Sequence, residues 1–527
     1  MASTSEIVRN AAVRRTIFWP NFVRLAPLLL AVLFGIWSLR GVNGSSIADY
    51  DSPRHALNGA FILDLFRHGK LLHPVHFGYW YYSRLPALSL PYHPPVFPAI
   101  EALAFALFGV SSFVARFTVA VATAVAVLLL IRLIRATHGS RLLAFVVTAS
   151  FFALPSVQQL SKTVMLEIPA LVFVLAAFWF LLPEDRIFSA PRSLWFGILG
   201  ALAIWTKQTV FLLPLPFLYV FLSRRWNLLP RRYLWMDSLI LTASSIWLLV
   251  LAQELHWNGI NRSWTNESVL QQFADNSNYY LHHGLWVIVL MAITLLTYRL
   301  PGGDQDFRND RLYLTWLLAA VMIVLTSPAY SARYLFFAIP PVLVLFFNAV
   351  YRISRSLSAH SAWIVPAVIC LVWVSYGFAK SHPIYLRGPD EAAKVLFDGG
   401  YRRILYCGNA NGAFIFGVRS NDSSLATIVI RGDKLPLQTF DSGQLEEFVK
   451  LYGIDAVVLE ESAKAQPWDS LENLSFWSLL RVLPVSDSEG EMSGSLFIYG
   501  INNPTTVPES SLQIPISVLG RDVIVQF

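Results

Sequence analysis

Two carboxylates, a guanidinium and an imidazole stand close together in Asp49-Tyr50-Asp51-Ser52-Pro53-Arg54-His55. Such a set can take a proton from a nucleophile and hold an anion beside it. It equally suits a helix start, with Asp51 or Ser52 as N-cap and Pro53 at the first helical position. His93 precedes Pro94 and Pro95 and is held in an extended turn. It could offer a proton donor or a cation to an anionic ligand, or be a surface histidine of an ordinary turn. Glu167, two residues before Pro169, is either a functional acid or a carboxylate favouring a helix N-terminus. Lys207 lies between apolar stretches, as a phosphate-binding point charge or a snorkelling side chain. Arg333-Tyr334 opens a further apolar stretch, where the pair suits an interfacial anchor.

The elements that must carry these residues are set by composition. Of 527 residues 55% are hydrophobic and only 14% charged, against about a quarter charged in soluble domains. The mean hydropathy is +0.52. These values exclude a soluble globular enzyme, a disordered scaffold and a disulfide-stapled module, and leave a multi-span membrane protein. Apolar runs near the ~20 residues needed to cross a bilayer occur around 22–39, 113–134, 142–156, 167–183, 194–206, 208–222, 236–252, 284–298, 312–327, 334–351 and 361–379. The expected class is a polytopic α-helical membrane protein of about 11–13 spans with a C-terminal α/β soluble domain.

The net charge of +7 reads as topology. Arg9, Arg14, Arg15 and Arg24 precede the first span, and later clusters fall at 132–141, 186–192, 224–232, 299–311 and 352–355. With these spans every cluster faces the cytoplasm. A full span at 94–109 would reverse that parity, so the run is expected to be a re-entrant or interfacial helix. Spread among cytoplasmic loops, the arginines offer no nucleic-acid surface. Asp51, Arg54, His93, Glu167, Lys207, Arg333 and Tyr334 then all lie at the outer face, where a lipid phosphate could be held by cations beside a carboxylate base.

From about residue 384 strands and helices alternate. Strands are expected at 403–407, 426–430, 455–459, 495–499 and 518–525, and a helix at 444–452. This gives a membrane module over 1–383, with a first outer loop at about 40–112, and an extracytoplasmic α/β domain over 384–527. Cys370 and Cys407 have no ligand-like spacing. The turn Cys407-Gly408-Asn409-Ala410-Asn411-Gly412 could cradle an anion or acceptor at a helix N-terminus, or be a plain structural turn.

At these residues the chain resembles the membrane-embedded glycosyltransferases of the GT-C fold. The likeness is to the group containing lipid A aminoarabinose transferase and the protein O-mannosyltransferases. It rests on Asp51-Ser52-Pro53-Arg54-His55-Ala56, His93-Pro94-Pro95, Leu107-Phe108-Gly109, Arg116, Glu167-Ile168-Pro169, Thr206-Lys207 and Arg333-Tyr334 with Pro340, over roughly residues 20–380. Ser52 departs from the family's usual Glu, Glu167 from Asp, and His93 from the lysine of the aminoarabinose transferases. A neutral histidine binds phosphate more weakly than lysine, which counts against aminoarabinose as the sugar.

The resemblance implies transfer of a hexosyl or pentosyl unit from a polyprenyl-phosphate donor to a glycan, lipid or protein acceptor at the outer face, usually with inversion. Asp51 would be the general base. Arg54, His93, Lys207, Arg333 and Tyr334 would bind the donor phosphate, and Glu167 would be a second acid orienting the acceptor or a metal. Some relatives use a divalent cation. His256, His282 and His283 of the second outer loop could be its ligands or simply interfacial residues. The implied setting is a bacterial inner membrane with the C-terminal domain in the periplasm. The rival is a lipid or sugar transporter or flippase, which would place polar breaks at the bilayer midplane and repeat its halves.

Overall fold

A computed structural model describes residues 25–49, 51–90, 93–181, 189–208, 215–223, 229, 232–254, 289–298, 303–326, 332–358, 361–434, 442–463, 476–488, 490, 493–518 and 521–526. Up to Lys380 the described chain is largely helical: α1 (Leu25–Trp37), α2 (Ser52–Arg67), α3 (Pro74–Arg84), α4 (Val96–Phe108), α5 (Ser112–His138), α6 (Arg141–Ala153), α7 (Pro155–Lys162), α8 (Glu167–Trp179), α9 (Ala190–Ile204), α10 (Leu215–Ser223), α11 (Arg232–Glu254), α12 (Gly303–Thr326), α13 (Ile339–Leu357) and α14 (Ile364–Lys380).

Helix α5 shows how the sequence sets such an element. The Ser111 hydroxyl accepts from the Val114 amide at 3.2 Å, and Gly139 closes the helix in the left-handed region at φ 67°. Its 27 residues span about 40 Å, enough for the ~30 Å hydrocarbon core of a bilayer. Among the described residues α5 and the stretch Arg333–Leu357 are long and apolar enough to cross a membrane. Shorter apolar helices include α1, α4, α8 and α14. Leu28, Leu29, Val32 and Ile36 of α1 and Val368, Leu371 and Val372 of α14 are exposed, which suits faces turned to lipid.

One expected span takes a different form. The run 142–156 breaks into α6 and α7, which meet at 69°. Pro155 opens α7; it has no N–H to continue α6, and its ring opposes the helical ladder. The run 94–109 forms α4, only 13 residues long. At about 20 Å it is too short to span alone, in keeping with an interfacial or re-entrant helix. It lies against α2 at Gly59, where an added Cβ would sit 2.7 Å from the Cβ of Glu101.

Some arginines expected to orient the chain are instead interior. Arg311 and Arg352 are 9% and 7% exposed. Arg352 belongs to a network around the fully buried Asp310. His138 Nε2 lies 2.8 Å from that carboxylate, Tyr298 donates to it at 2.9 Å, and Asn348 at 3.1 Å. The network ties the end of α5 to α12 and α13.

The C-terminal domain comprises β1 (Leu386–Arg387), α15 (Pro389–Asp398), β2 (Arg403–Cys407), α16 (Asn411–Asn421), β3 (Ile428–Arg431), α17 (Ser442–Tyr452), β4 (Ala456–Glu460), β5 (Trp477–Asp487), β6 (Ser493–Ile501) and a β7 (Gln513–Val518)–β8 (Arg521–Gln526) hairpin. The six-stranded sheet runs β1-β5-β6-β4-β2-β3. Its parallel part, β4-β2-β3, is buried almost throughout, as parallel strands covered on both faces require. Of the expected 518–525 strand, Val518 ends β7 and the residues from Arg521 on form β8, and β5 and the helices α15 and α16 join those expected.

This domain is fastened to the helical part. Arg419 of α16 donates to the Asp64 carboxylate of α2 from Nε at 2.7 Å and from Nη2 at 2.5 Å, and the Tyr81 hydroxyl donates to it at 3.2 Å. Both charged side chains are 1% exposed. Arg84 donates to the Leu425 carbonyl at 2.7 Å, Ser112 to Asp390 at 2.8 Å, and Arg116 to the carbonyls of Ile384 and Arg40 at 2.9 and 2.8 Å. Ser46 pairs with Leu386 as an isolated bridge.

Candidate active site at the first turn of α2

Asp51 occupies the N-cap position of α2, yet its side chain makes no capping hydrogen bond. It faces Arg333 instead, which donates to its Oδ2 at 3.1 Å from the 3-10 turn Ala332–Ala338. The backbone is prepared for this two residues earlier. Asp49 holds the left-handed conformation at φ 82°, and its Oδ1 accepts from the Asp51 amide at 3.1 Å. Such a conformation is tolerated by Asp through local side-chain hydrogen bonding.

One helical turn after Asp51, on the same face, His55 is 2% exposed. Its ring lies against His93 with centroids 4.2 Å apart and planes at 71°. His93 is held by the turn after α3, where its amide donates to the Ser89 carbonyl at 3.1 Å. Glu167, the first residue of α8, pairs with Lys207 at 3.0 Å, and both are buried. The Lys207 turn is tied to the start of α4 by the Val96 amide, which donates to the Trp205 carbonyl at 3.1 Å.

The charges of Asp51, Lys207, Glu167 and Arg333 all act on His55. Those of Lys207, Arg333 and Arg54 act on His93. Burial pushes the His55 imidazole down to about 4, the Asp51 charge opposing. Burial also takes His93 well below its ordinary value, and the positive groups around it add to the effect. Both rings are therefore neutral near pH 7. For Asp51, burial raises the carboxyl, but the Arg333 hydrogen bond and the charges of His55, Arg333 and Arg54 outweigh it and hold it below its ordinary value. It is an ionised carboxylate at neutral pH.

Four buried polar atoms around this turn have no hydrogen-bond partner: Ser52 Oγ, Arg54 Nε, His55 Nδ1 and Arg333 Nε. Buried polar groups are nearly always satisfied, so these atoms are available to a polar ligand. The structure thus draws Asp51, Arg54, His93, Glu167, Lys207 and Arg333 together. Tyr334 is adjacent, its ring 5.9 Å from the Arg333 guanidinium carbon. The family resemblance assigns His55 no role; its i, i+4 spacing from Asp51 is the sequence signal for it.

The glycine-containing turn of the C-terminal domain does cradle an anion, and the anion is the domain's own. The Glu460 carboxylate accepts from the Asn409 and Ala410 amides at 2.8 and 2.7 Å, and from the Tyr406 hydroxyl. Gly408 has no room for a side chain, because a Cβ would strike that carboxyl group.

Among the described residues no three His, Cys, Asp or Glu side chains converge as metal ligands. The His55–His93 pair supplies only two imidazoles. His256, His282 and His283 lie outside the described residues.

The helical body with its attached sheet domain takes the GT-C fold. ArnT from Cupriavidus metallidurans, solved bound to undecaprenyl phosphate and in the apo state, superposes with a TM-score of 0.58 in each case at 14% identity. The match covers 92% of this chain and 99% of that one. Residues 92–257 match the family model of dolichyl-phosphate-mannose-protein mannosyltransferases. An Archaeoglobus fulgidus oligosaccharyltransferase, solved with zinc and sulfate, aligns at a TM-score of 0.46 and 14% identity over 82% of this chain and 68% of its own. No curated protein sequence matches the chain.

Proposed function

We propose that the chain transfers a sugar from a polyprenyl-phosphate donor to an acceptor hydroxyl at the outer face of a bacterial inner membrane. The observation that carries this is the Asp51–Arg333 pair, 3.1 Å apart, set among buried polar atoms that the protein leaves unsatisfied. Asp51 takes the hydroxyl proton while the acceptor oxygen bonds to the anomeric carbon. The bond from that carbon to the phosphate oxygen breaks, and its electron pair leaves with the phosphate. Attack opposite the leaving group inverts the anomeric centre. The products are the glycosylated acceptor, protonated Asp51 and polyprenyl phosphate.

Lys207, Arg333 and Arg54 stabilise the charge that grows on the phosphate. The neutral His55 and His93 rings and the Tyr334 hydroxyl donate hydrogen bonds to it. Glu167 keeps Lys207 in place. As the donor binds, Arg333 passes from the carboxylate to the phosphate. Loss of that cation raises the proton affinity of Asp51 when it must act as base.

The test is a transfer assay with purified protein and a panel of polyprenyl-phosphate sugars. Asp51→Asn should lower transfer by about 10²–10⁴-fold, the usual worth of a general base, with thermal unfolding unchanged. Retained transfer in that variant removes Asp51 as base. Movement of the intact lipid-linked sugar across a vesicle bilayer, with no glycosidic cleavage, would support a flippase instead.

A further inference from the structure

A cavity of about 220 Å³ lies where the C-terminal domain meets the first turn of α2. Asp49, Arg54 and Thr163 line it from the helical part, and Asn409, Asn411 and Ser488 from the C-terminal domain. We infer that this cavity is the acceptor subsite, and that it takes one neutral, hydroxyl-rich sugar unit of a glycan. The inference rests on the transferase proposal above and adds the acceptor class.

The chemistry of the walls selects the ligand. Side-chain amides and hydroxyls, with one guanidinium and one carboxylate, both donate to and accept from sugar hydroxyls. Ile384 and Leu386 give an apolar wall for the C–H face of a ring. A phosphate is disfavoured. The Asn409 and Ala410 amides just before α16 are already taken by Glu460, and the Asp49 and Asp487 carboxylates that line the space would repel an anion. Size points the same way: ordinary ligand clefts measure roughly 300–1,000 Å³, so this one suits a single ring rather than a lipid or a folded peptide segment.

Position completes the case. Asp49 is bonded to the Asp51 amide, and Arg54 acts electrostatically on both Asp51 and His93. A sugar in the cavity therefore stands beside the base, and its domain wall comes from Asn409, Asn411 and Ser488. The C-terminal domain would thus select the acceptor while the helical part holds the donor.

The experiment uses the full-length protein, a polyprenyl-phosphate sugar that it cleaves, and the methyl glycosides of glucose, galactose and mannose. Release of polyprenyl phosphate is followed with and without glycoside, which separates transfer from hydrolysis by water. At least one glycoside should accelerate release and yield a disaccharide. Asn409→Trp, at an exposed position of the lining, and Ser488→Trp should each lower the ratio of transfer to hydrolysis by about tenfold or more, the scale of a lost pocket contact. A protein that hydrolyses donor but is accelerated by no glycoside, or by serine- or threonine-containing peptides only, overturns the inference. So does an unchanged ratio in both variants. Absence of both hydrolysis and transfer would instead overturn the transferase proposal.

Discussion

Replacing Arg419 by methionine should loosen the C-terminal domain from α2 and disturb a site at the other end of that helix. The Asp64–Arg419 pair is bidentate, 2.5 and 2.7 Å, with both side chains 1% exposed. Removing one partner of such a pair leaves a buried charge and costs about 3–5 kcal/mol. The Tyr81 hydroxyl, at 3.2 Å, satisfies only part of what Asp64 loses. Asp51 and Asp64 lie thirteen residues apart along α2, about 20 Å at 1.5 Å per residue, so a tilt at the Asp64 end moves the Asp51 turn. A shift near 1 Å can cost about 10²-fold in rate. Thermal unfolding in detergent, with transfer measured on the same samples, reads both effects. The charge-free pair Asp64→Leu with Arg419→Met should recover much of the stability lost in either single variant, since apolar side chains can replace a buried ion pair. The idea fails if Arg419→Met unfolds within about 0.5 kcal/mol of the native chain, the range of neutral surface changes, or if the double variant is no better than the singles.

Arg333→Met removes the group that most lowers the Asp51 carboxyl. The acid limb of kcat/KM, which follows the free enzyme, should therefore move to higher pH; a limb that stays in place would show that the pair does not set it. His55 is neutral and buried, with its proton affinity taken down to about 4 from 6.5. Below pH 6.5 the unfolded chain binds a proton that the folded chain refuses, so stability should fall as pH drops from 6.5 to 4, by on the order of 3 kcal/mol. In His55→Asn that slope should flatten, and an identical pH profile of unfolding would argue against it. Gly59→Val should separate α2 from α4, because even a Cβ would meet Glu101 at 2.7 Å. Its cost is about 1–3 kcal/mol of overpacking, measurable as an earlier unfolding transition.

The parts of this molecule legible in its sequence are those whose signal is local. The Asp49–His55 run, the His93-Pro94-Pro95 turn and the Thr206-Lys207 turn each combine special residue types at short spacing, and the structure brings them together. The parallel strands β2 and β4 announced themselves as short apolar runs. Asp64 did not, because its partner Arg419 is 355 residues away and nothing in either neighbourhood marks the pairing. Strand β5 was missed for a different reason: most of its residues are exposed and Pro484 interrupts it, so it lacks the pattern of a core strand. Arg352 read as one more basic residue at a membrane edge, while the structure gives it the Asp310 network. Charge counting sees a residue's sign but not the buried carboxylate that claims it.

The seam between the two parts of the chain bears on how freely they can be recombined. Asp64, Arg84, Ser112 and Arg116 on one side meet Arg419, Leu425, Asp390 and Ile384 on the other, and each contact depends on a specific side chain. A chimera that keeps these helices and borrows its tail from a relative would keep Asp64 and Ser112 but lose their side-chain partners Arg419 and Asp390. Heterologous exchange should therefore succeed only when both faces of the seam travel together, so the tail behaves as a fitted counterpart of the helical body rather than as interchangeable cargo.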